Sequence, residues 1–223
     1  MKYFIANWKA DKNLTEASQW IDKFLSFPID NQEYTIVICP PYPLLYPLKE
    51  KINNRKNIRL GSQDLSKYEQ GTYTGEVTAK TLQGLVDYAI IGHSERINYF
   101  SESDQSNREK IRLALKYNII PLLCIQDENS RIIPEVNFIV YEPPWAISKG
   151  LADSLKTTIE QTPEEVVKTR HKLKINKEKI FIYGGSVNPG NINKYSQSPE
   201  IDGVLVGGAS LDPEIFYQII QLA

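Results

Sequence analysis

The sequence is poor in the residues from which disulfide frameworks and metal centres are built, with two cysteines and two histidines among 223 residues. Cys39 and Cys124 each sit in an apolar, strand-like run, where a free thiol behaves as a small buried hydrophobe of a reducing compartment. An excess of charge of either sign is missing too. Twenty-six basic residues against 27 acidic ones leave a net charge of -1, so no global field draws in nucleic acid or an anionic membrane surface, and any anion site must be local. No stretch approaches the roughly 18 apolar residues of a membrane span, and the opening MKYFIANWKAD lacks the apolar run of a signal peptide. A cytoplasmic protein is expected. Gly/Ser linkers, low-complexity tracts and blocks of like charge are also absent, so residues 1–223 are expected to form one domain around one core.

What the chain does have is rhythm. Short apolar runs recur eight times: YFIA (3–6), YTIVIC (34–39), IRLG (58–61), YAIIG (88–92), IIPLLCI (119–125), FIVY (138–141), IFIY (180–183) and GVLVG (203–207). They are apolar on both faces, which suits parallel strands covered on both sides. Helical segments lie between them. Ala17, Trp20, Ile21, Phe24 and Leu25 line one helical face. Thr162-Pro163-Glu164-Glu165 reads as a capping box with proline at the first helical position, and Asn188-Pro189 and Asp212-Pro213 repeat the cap-then-proline signal. Eight strand-helix units predict a closed (β/α)8 barrel, with an open doubly wound sheet as its rival. One connection is short: QDENSRIIPEVN, from Gln126 to Asn137, is near the minimum for a parallel crossover, so the helix between strands 5 and 6 is expected to be shortened or lost.

In such barrels the working residues sit at the C-terminal strand ends. Those positions hold Asn7 and Lys9 after the first strand, His93 and Glu95 after the fourth, and Glu142 after the sixth. Gly184-Gly185-Ser186 follows the seventh strand and Gly207-Gly208 the eighth. Each has an ordinary reading. A lysine is usually a solvated charge, a histidine can cap a helix, a glutamate can end a strand in water, and glycines serve turns. Five distant strand ends deliver a cation, an imidazole, a carboxylate and two glycine-rich turns to one rim, a convergence that independent accidents fit poorly.

The stretches NWKAD, GSQDLSKYEQGTYTGEV, IIGHSERINYF, YEPPWAISKG, IYGGSVNPGN and DGVLVGGASLDP, in this order over nearly the whole chain, resemble those of the triosephosphate isomerase family. The resemblance implies a TIM barrel that interconverts dihydroxyacetone phosphate and glyceraldehyde 3-phosphate through an enediolate, without cofactor or metal. It implies Glu142 as the base, His93 as a neutral imidazole electrophile at a helix N-terminus, and Asn7 and Lys9 as donor and cation beside it, roles long associated with this family. Glu95 falls in the same pocket, either pairing with Lys9 or sharing in proton movement. Asn7, Lys9, Ser148, Ser186, Gly207 and Gly208 match phosphate-binding and substrate-binding positions. Pro143, Pro144 and Trp145 match a stiff hinge, and Ala146, Ile147, Ser148, Lys149 and Gly150 a lid that closes over the phosphate and keeps water from the intermediate.

The segment Gln63 to Val77 resembles the long third loop that docks into a second subunit, with Thr74 near its tip, so a homodimer is expected. Three features depart from the family pattern. Ser148 stands where glycine is common in the lid, the stretch LADSLKTTIEQ after the lid is longer than usual, and Gln126-Asp127 replaces Gly-Glu. A non-catalytic barrel that kept phosphate binding would have lost the base, the imidazole or the lysine; all three are present. A different phosphosugar chemistry would need another acid-base pair or a metal cluster, and the second histidine, His171, lies among Lys and Arg on a helix face expected to be solvated.

Overall fold

A computed structural model describes residues 2–29, 33–53, 55–146 and 160–223. Eight parallel strands close into a barrel in chain order: β1 (Tyr3–Asn7), β2 (Thr35–Cys39), β3 (Ile58–Ser62), β4 (Tyr88–Ile91), β5 (Ile120–Ile125), β6 (Phe138–Tyr141), β7 (Ile180–Tyr183) and β8 (Gly203–Val206). Each falls on one of the eight apolar runs, and the open-sheet alternative is excluded by the pairing of β1 with β8. The described helices are α1 (Leu14–Leu25), α2 (Leu45–Ile52), α3 (Ala79–Leu82), α4 (Ser94–Phe100), α5 (Asp104–Lys116), α6 (Pro163–Lys172), α7 (Ile192–Ser196) and α8 (Pro213–Leu222).

Side chains alternate along each strand, and the two parities pack in two layers. Ile5, Val37, Ile90, Leu122, Val140, Ile182 and Leu205 fill the barrel interior. Phe4, Ile36, Phe181 and Val204 belong to the outer layer, where they pack with Trp20, Phe24 and Phe216 of α1 and α8. This arrangement makes both strand faces apolar.

Local signals fix the helix ends. Asn13 and Glu16 form a capping box on α1, and Ala17, Trp20, Ile21 and Phe24 are its buried face. Thr162 and Glu165 cap α6 with Pro163 behind them, and Asp212 caps α8. Asn188-Pro189 behaves differently from the sequence expectation. The Asn188 side chain accepts from the Gly190 N–H, closing a turn, and α7 starts only after Asn191. A short polar side chain before proline serves a turn as well as a cap, and the two uses look alike in sequence.

Between β5 and β6 there is no helix. Residues 126–137 run through two turns, one closed by Ser130 N–H on the Asp127 carbonyl and one by Val136 N–H on the Ile133 carbonyl. The barrel strands on either side stay in register, Leu122 opposite Phe138 and Ile125 opposite Tyr141. The outer ring is therefore trimmed without a break in the inner one.

Closure rests on a residue with no side chain. A Cβ at Gly203 would stand 2.4 Å from the carbonyl oxygen of Tyr3 and 2.6 Å from its Cβ, across the β1–β8 seam. The nearest clash is with backbone and cannot rotate away. Gly203→Ala is expected to lower stability by about 1–3 kcal/mol through overpacking, read as a fall in the urea midpoint with an unchanged slope. A midpoint equal to that of the parent would show that the seam can open to take a methyl group.

Candidate active site

The inward parity of the strands continues one step past the last apolar layer. Asn7 follows Ile5 and Glu142 follows Val140, two residues on in each case. On β4, β7 and β8 the same step falls on Gly92, Gly184 and Gly207. Beyond its hydrophobic filling the barrel thus carries a carboxamide, a carboxylate and three positions without side chains. The glycines leave room there. A Cβ at Gly184 would lie 2.8 Å from Cγ of Glu142, and one at Gly207 would lie 3.3 Å from Cε of Lys9.

Glu142 is 1 % exposed, although it carries a group that prefers water. Its Oε1 is 3.1 Å from Nε2 of His93, and its Oε2 accepts from the Ser94 N–H at 3.3 Å. Burial pushes its pKa above the ordinary carboxylate range; His93, the Ser94 N–H, the Cys124 thiol and Lys9 pull the other way and only partly offset it. The Cys124 thiol is itself held well above its usual value, chiefly by burial and then by the neighbouring Glu142. It is a proton-bearing donor to the carboxylate rather than a nucleophile.

His93 caps α4. Its Nδ1 accepts the Glu95 N–H at 3.2 Å. A ring nitrogen that accepts holds no proton, so the imidazole is neutral, with its hydrogen on Nε2, the nitrogen that faces Glu142. The ring is 5 % exposed and cannot turn toward bulk water without losing both partners.

Lys9 reaches the same mouth from the loop after β1. Its Nζ is 2.6 Å from Oε1 of Glu95. Its backbone is left-handed, with φ of 53°, a conformation that costs a non-glycine residue about 1–2 kcal/mol. Neighbours hold it there. Asn7 Oδ1 accepts the Lys9 N–H at 3.1 Å, and Gln63 Nε2 donates to the carbonyls of Lys9 at 2.8 Å and Cys39 at 2.9 Å. The sequence holds no signal for this role of Gln63, because a glutamine opening a long loop has no chemical signature of its own. The same holds for Cys124, whose apolar strand context hides its place beside the Glu142 carboxylate.

Asn7, Lys9, His93 and Glu95 line one pocket of about 200 Å³ together with Gln63 and Arg96. Across the rim, Ser186 is buried and its Oγ has no hydrogen-bond partner among the described residues. Gly207 and Gly208 lead into a single 3₁₀ turn, Gly208–Leu211. Pro143 is buried, and Pro144–Ala146 forms a second 3₁₀ turn that exposes Trp145 and buries Ala146. Ile147, Ser148, Lys149 and Gly150 lie outside the described residues. Thr74 stands exposed in a turn closed by the Glu76 N–H on the Tyr73 carbonyl, at the far end of the loop after β3. His171, by contrast, lies on α6, exposed and paired with Glu200.

A sequence profile described as triosephosphate isomerase matches residues 2–223. Relatives carrying that same name share 36 % identity with this chain in Dictyoglomus thermophilum, over 99 % of this chain and 98 % of the relative. They share 36 % in Mesomycoplasma hyopneumoniae, over 98 % of each, and 33 % in Aquifex aeolicus, over 96 % of each.

The buried carboxylate makes a pH prediction. A carboxyl with a raised folded pKa binds its proton more tightly in the folded chain than in the unfolded one, where the value is about 4.3. Its contribution to stability is full below that unfolded value and is lost as pH rises through the folded one. Glu142→Gln removes this loss. The Tm advantage of the variant over the parent is expected to be smallest near pH 4 and to widen toward pH 8, measured by melts across that range. A constant difference would mean that the carboxylate is solvated in the folded protein.

Proposed function

This chain belongs to the triosephosphate isomerase family, and we propose that Glu142, His93, Lys9 and Asn7 carry its interconversion of dihydroxyacetone phosphate and D-glyceraldehyde 3-phosphate, a step of glycolysis and gluconeogenesis. One observation carries this residue assignment: the desolvated carboxylate of Glu142 lies 3.1 Å from Nε2 of a neutral His93, beside a pocket lined by Asn7 and Lys9.

The reaction moves one proton from a carbon to its neighbour and a second from the oxygen on the first carbon to the oxygen on the other, the second relayed by His93 Nε2, and it leaves the heavy atoms in place. Glu142 takes the proton from the carbon next to the carbonyl, then returns it to the other carbon, so one base serves both directions. Burial makes this base stronger than a solvated carboxylate. As the C–H bond breaks, the electron pair flows to the carbonyl oxygen, which needs donors already in position. The Nε2–H of His93 is one. The Asn7 amide nitrogen is a second, since its oxygen is engaged by the Lys9 backbone. Lys9 adds positive charge, and its pairing with Glu95 positions the ammonium without exposing it fully.

Without substrate, Nε2–H spends its bond on Glu142 itself. A substrate that inserts between base and imidazole takes over the 3.1 Å contact of Nε2 with Oε1, while the long 3.3 Å bond from Ser94 N–H to Oε2 leaves the carboxylate room to turn toward the reacting carbon. The phosphate would sit against the backbone of Gly207 and Gly208 and the orphaned Oγ of Ser186, a cradle of the kind formed after the last two strands of such barrels. The lid that begins at Pro143-Pro144-Trp145 would close over it and exclude water.

The same reading extends to a homodimer in the cytoplasm. The loop from Gln63 to Val77 is built to project. Ser66 N–H bonds the Val77 carbonyl at its base, Tyr68 stacks on Tyr73, and Gly75 takes φ of 95° in the turn at its tip. Exposed Tyr46, Tyr99 and Phe100 supply apolar surface for a partner.

Two experiments test the proposal. In a coupled isomerase assay Glu142→Gln is expected to lose at least about 10²–10⁴ in kcat, and parental turnover in the variant would overturn the assignment. In sedimentation at micromolar concentration the parent is expected to run as a dimer and Thr74→Arg as a monomer of reduced activity. A fully active monomeric parent would remove the dimer.

A further inference from the structure

The link that replaces the helix between β5 and β6 leaves a cavity of about 90 Å³ on the outer side of the barrel, bounded by α4, α5 and the residues after β5. That is room for several water molecules. It lies behind the loop that carries His93, separate from the pocket lined by Asn7 and Lys9. Its floor is apolar, formed by Leu123, Ile125 and the side chains of Ile97 and Ile133.

The charged groups that line it are Arg108 and Arg131 against Asp104, an excess of one positive charge. Several other basic side chains that reach a neighbouring element are paired with an acid: Lys110 is held by Asp64 and Glu102, Lys116 by Glu69, and Lys172 by Glu128. Neither the Arg108 nor the Arg131 side chain makes an ion pair or hydrogen bond among the described residues. The wall also contains Asn107, 7 % exposed, whose Oδ1 is buried with no hydrogen-bond partner. A buried acceptor left unsatisfied costs about 1–3 kcal/mol, so it marks a place that asks for a donor. Two planar guanidinium groups ask for oxygen atoms with negative charge.

We propose that this cavity is a second anion site, for a small oxyanion that also carries an O–H, such as hydrogen phosphate or a small hydroxycarboxylate. The anionic oxygens bind Arg108 and Arg131, and the hydroxyl donates to Asn107 Oδ1. The platform is fixed. Ser130 Oγ accepts the N–H groups of Gln126 and Asp127, and Gln126 Nε2 donates to the Gly92 carbonyl at 3.0 Å, which ties the link to the residue before His93. On the other side the Asn107 amide packs so closely on Gly92 that a Cβ there would meet its Nδ2 at 3.1 Å.

The test is an NMR titration of the full chain at constant ionic strength, with inorganic phosphate in one arm and glycolate in the other, reading the side-chain amides of Asn107 and Gln126. Saturable shifts are expected with at least one probe. In Arg108→Ala/Arg131→Ala the same shifts are expected to need more than about tenfold higher concentration, from the loss of two charge-assisted contacts. Both arginines lie outside the catalytic pocket, so parental isomerase activity of the double variant certifies its fold. Shifts that stay linear with both probes would overturn the site. So would saturation unchanged in the double variant, which would locate the anion in the catalytic pocket instead.

Discussion

A carboxylate kept where water cannot reach it is the constraint around which the rest of the molecule is arranged. Glu142 is buried at the end of β6, and its charge is tolerated because three donors face it: the imidazole of His93, the Ser94 N–H at the start of α4, and the Cys124 thiol from the adjacent strand. None of these is a full cation held at contact distance. A bidentate arginine would stabilise the charge and pull the carboxyl's pKa down; neutral donors hold it in place and leave the effect of burial only partly offset.

The barrel supplies those neighbours through parity. Because side chains point alternately in and out, the residue two past the last inward apolar one must also point in, and at the C-terminal mouth nothing covers it. Asn7 and Glu142 occupy that step, and Gly92, Gly184 and Gly207 keep the adjoining steps empty. The left-handed backbone of Lys9 then brings a cation over the mouth, and Gln63 and Asn7 hold it there by bonds to its backbone. The price is local strain in one residue, offset by two hydrogen bonds to its backbone.

The same architecture explains why the barrel survives without a helix between β5 and β6. The polar groups that line the mouth sit on strand ends and the loops after them, and the outer ring only covers the strands from behind. Where that cover is missing a recess with an apolar floor lies behind the mouth, lined by Arg108 of α5 and Arg131 of the link.

The fold was legible from eight apolar runs because each run is long enough for one strand and too short for a helix, and all eight became strands within a residue or two. The missing helix was legible from length alone, since 12 residues cannot hold a full crossover helix. Where the sequence misled, at Asn188-Pro189, a turn and a cap share the same side-chain chemistry. By itself the sequence determined which chemical groups reach the rim and in what order, because strand spacing and residue type are local properties. Only the tertiary structure decided that Glu142 is desolvated, that His93 bears its hydrogen on Nε2, and that Gln63 and Cys124 belong to the site. Burial and hydrogen-bond partnership depend on residues tens of positions away, brought within about 3 Å only when the barrel closes.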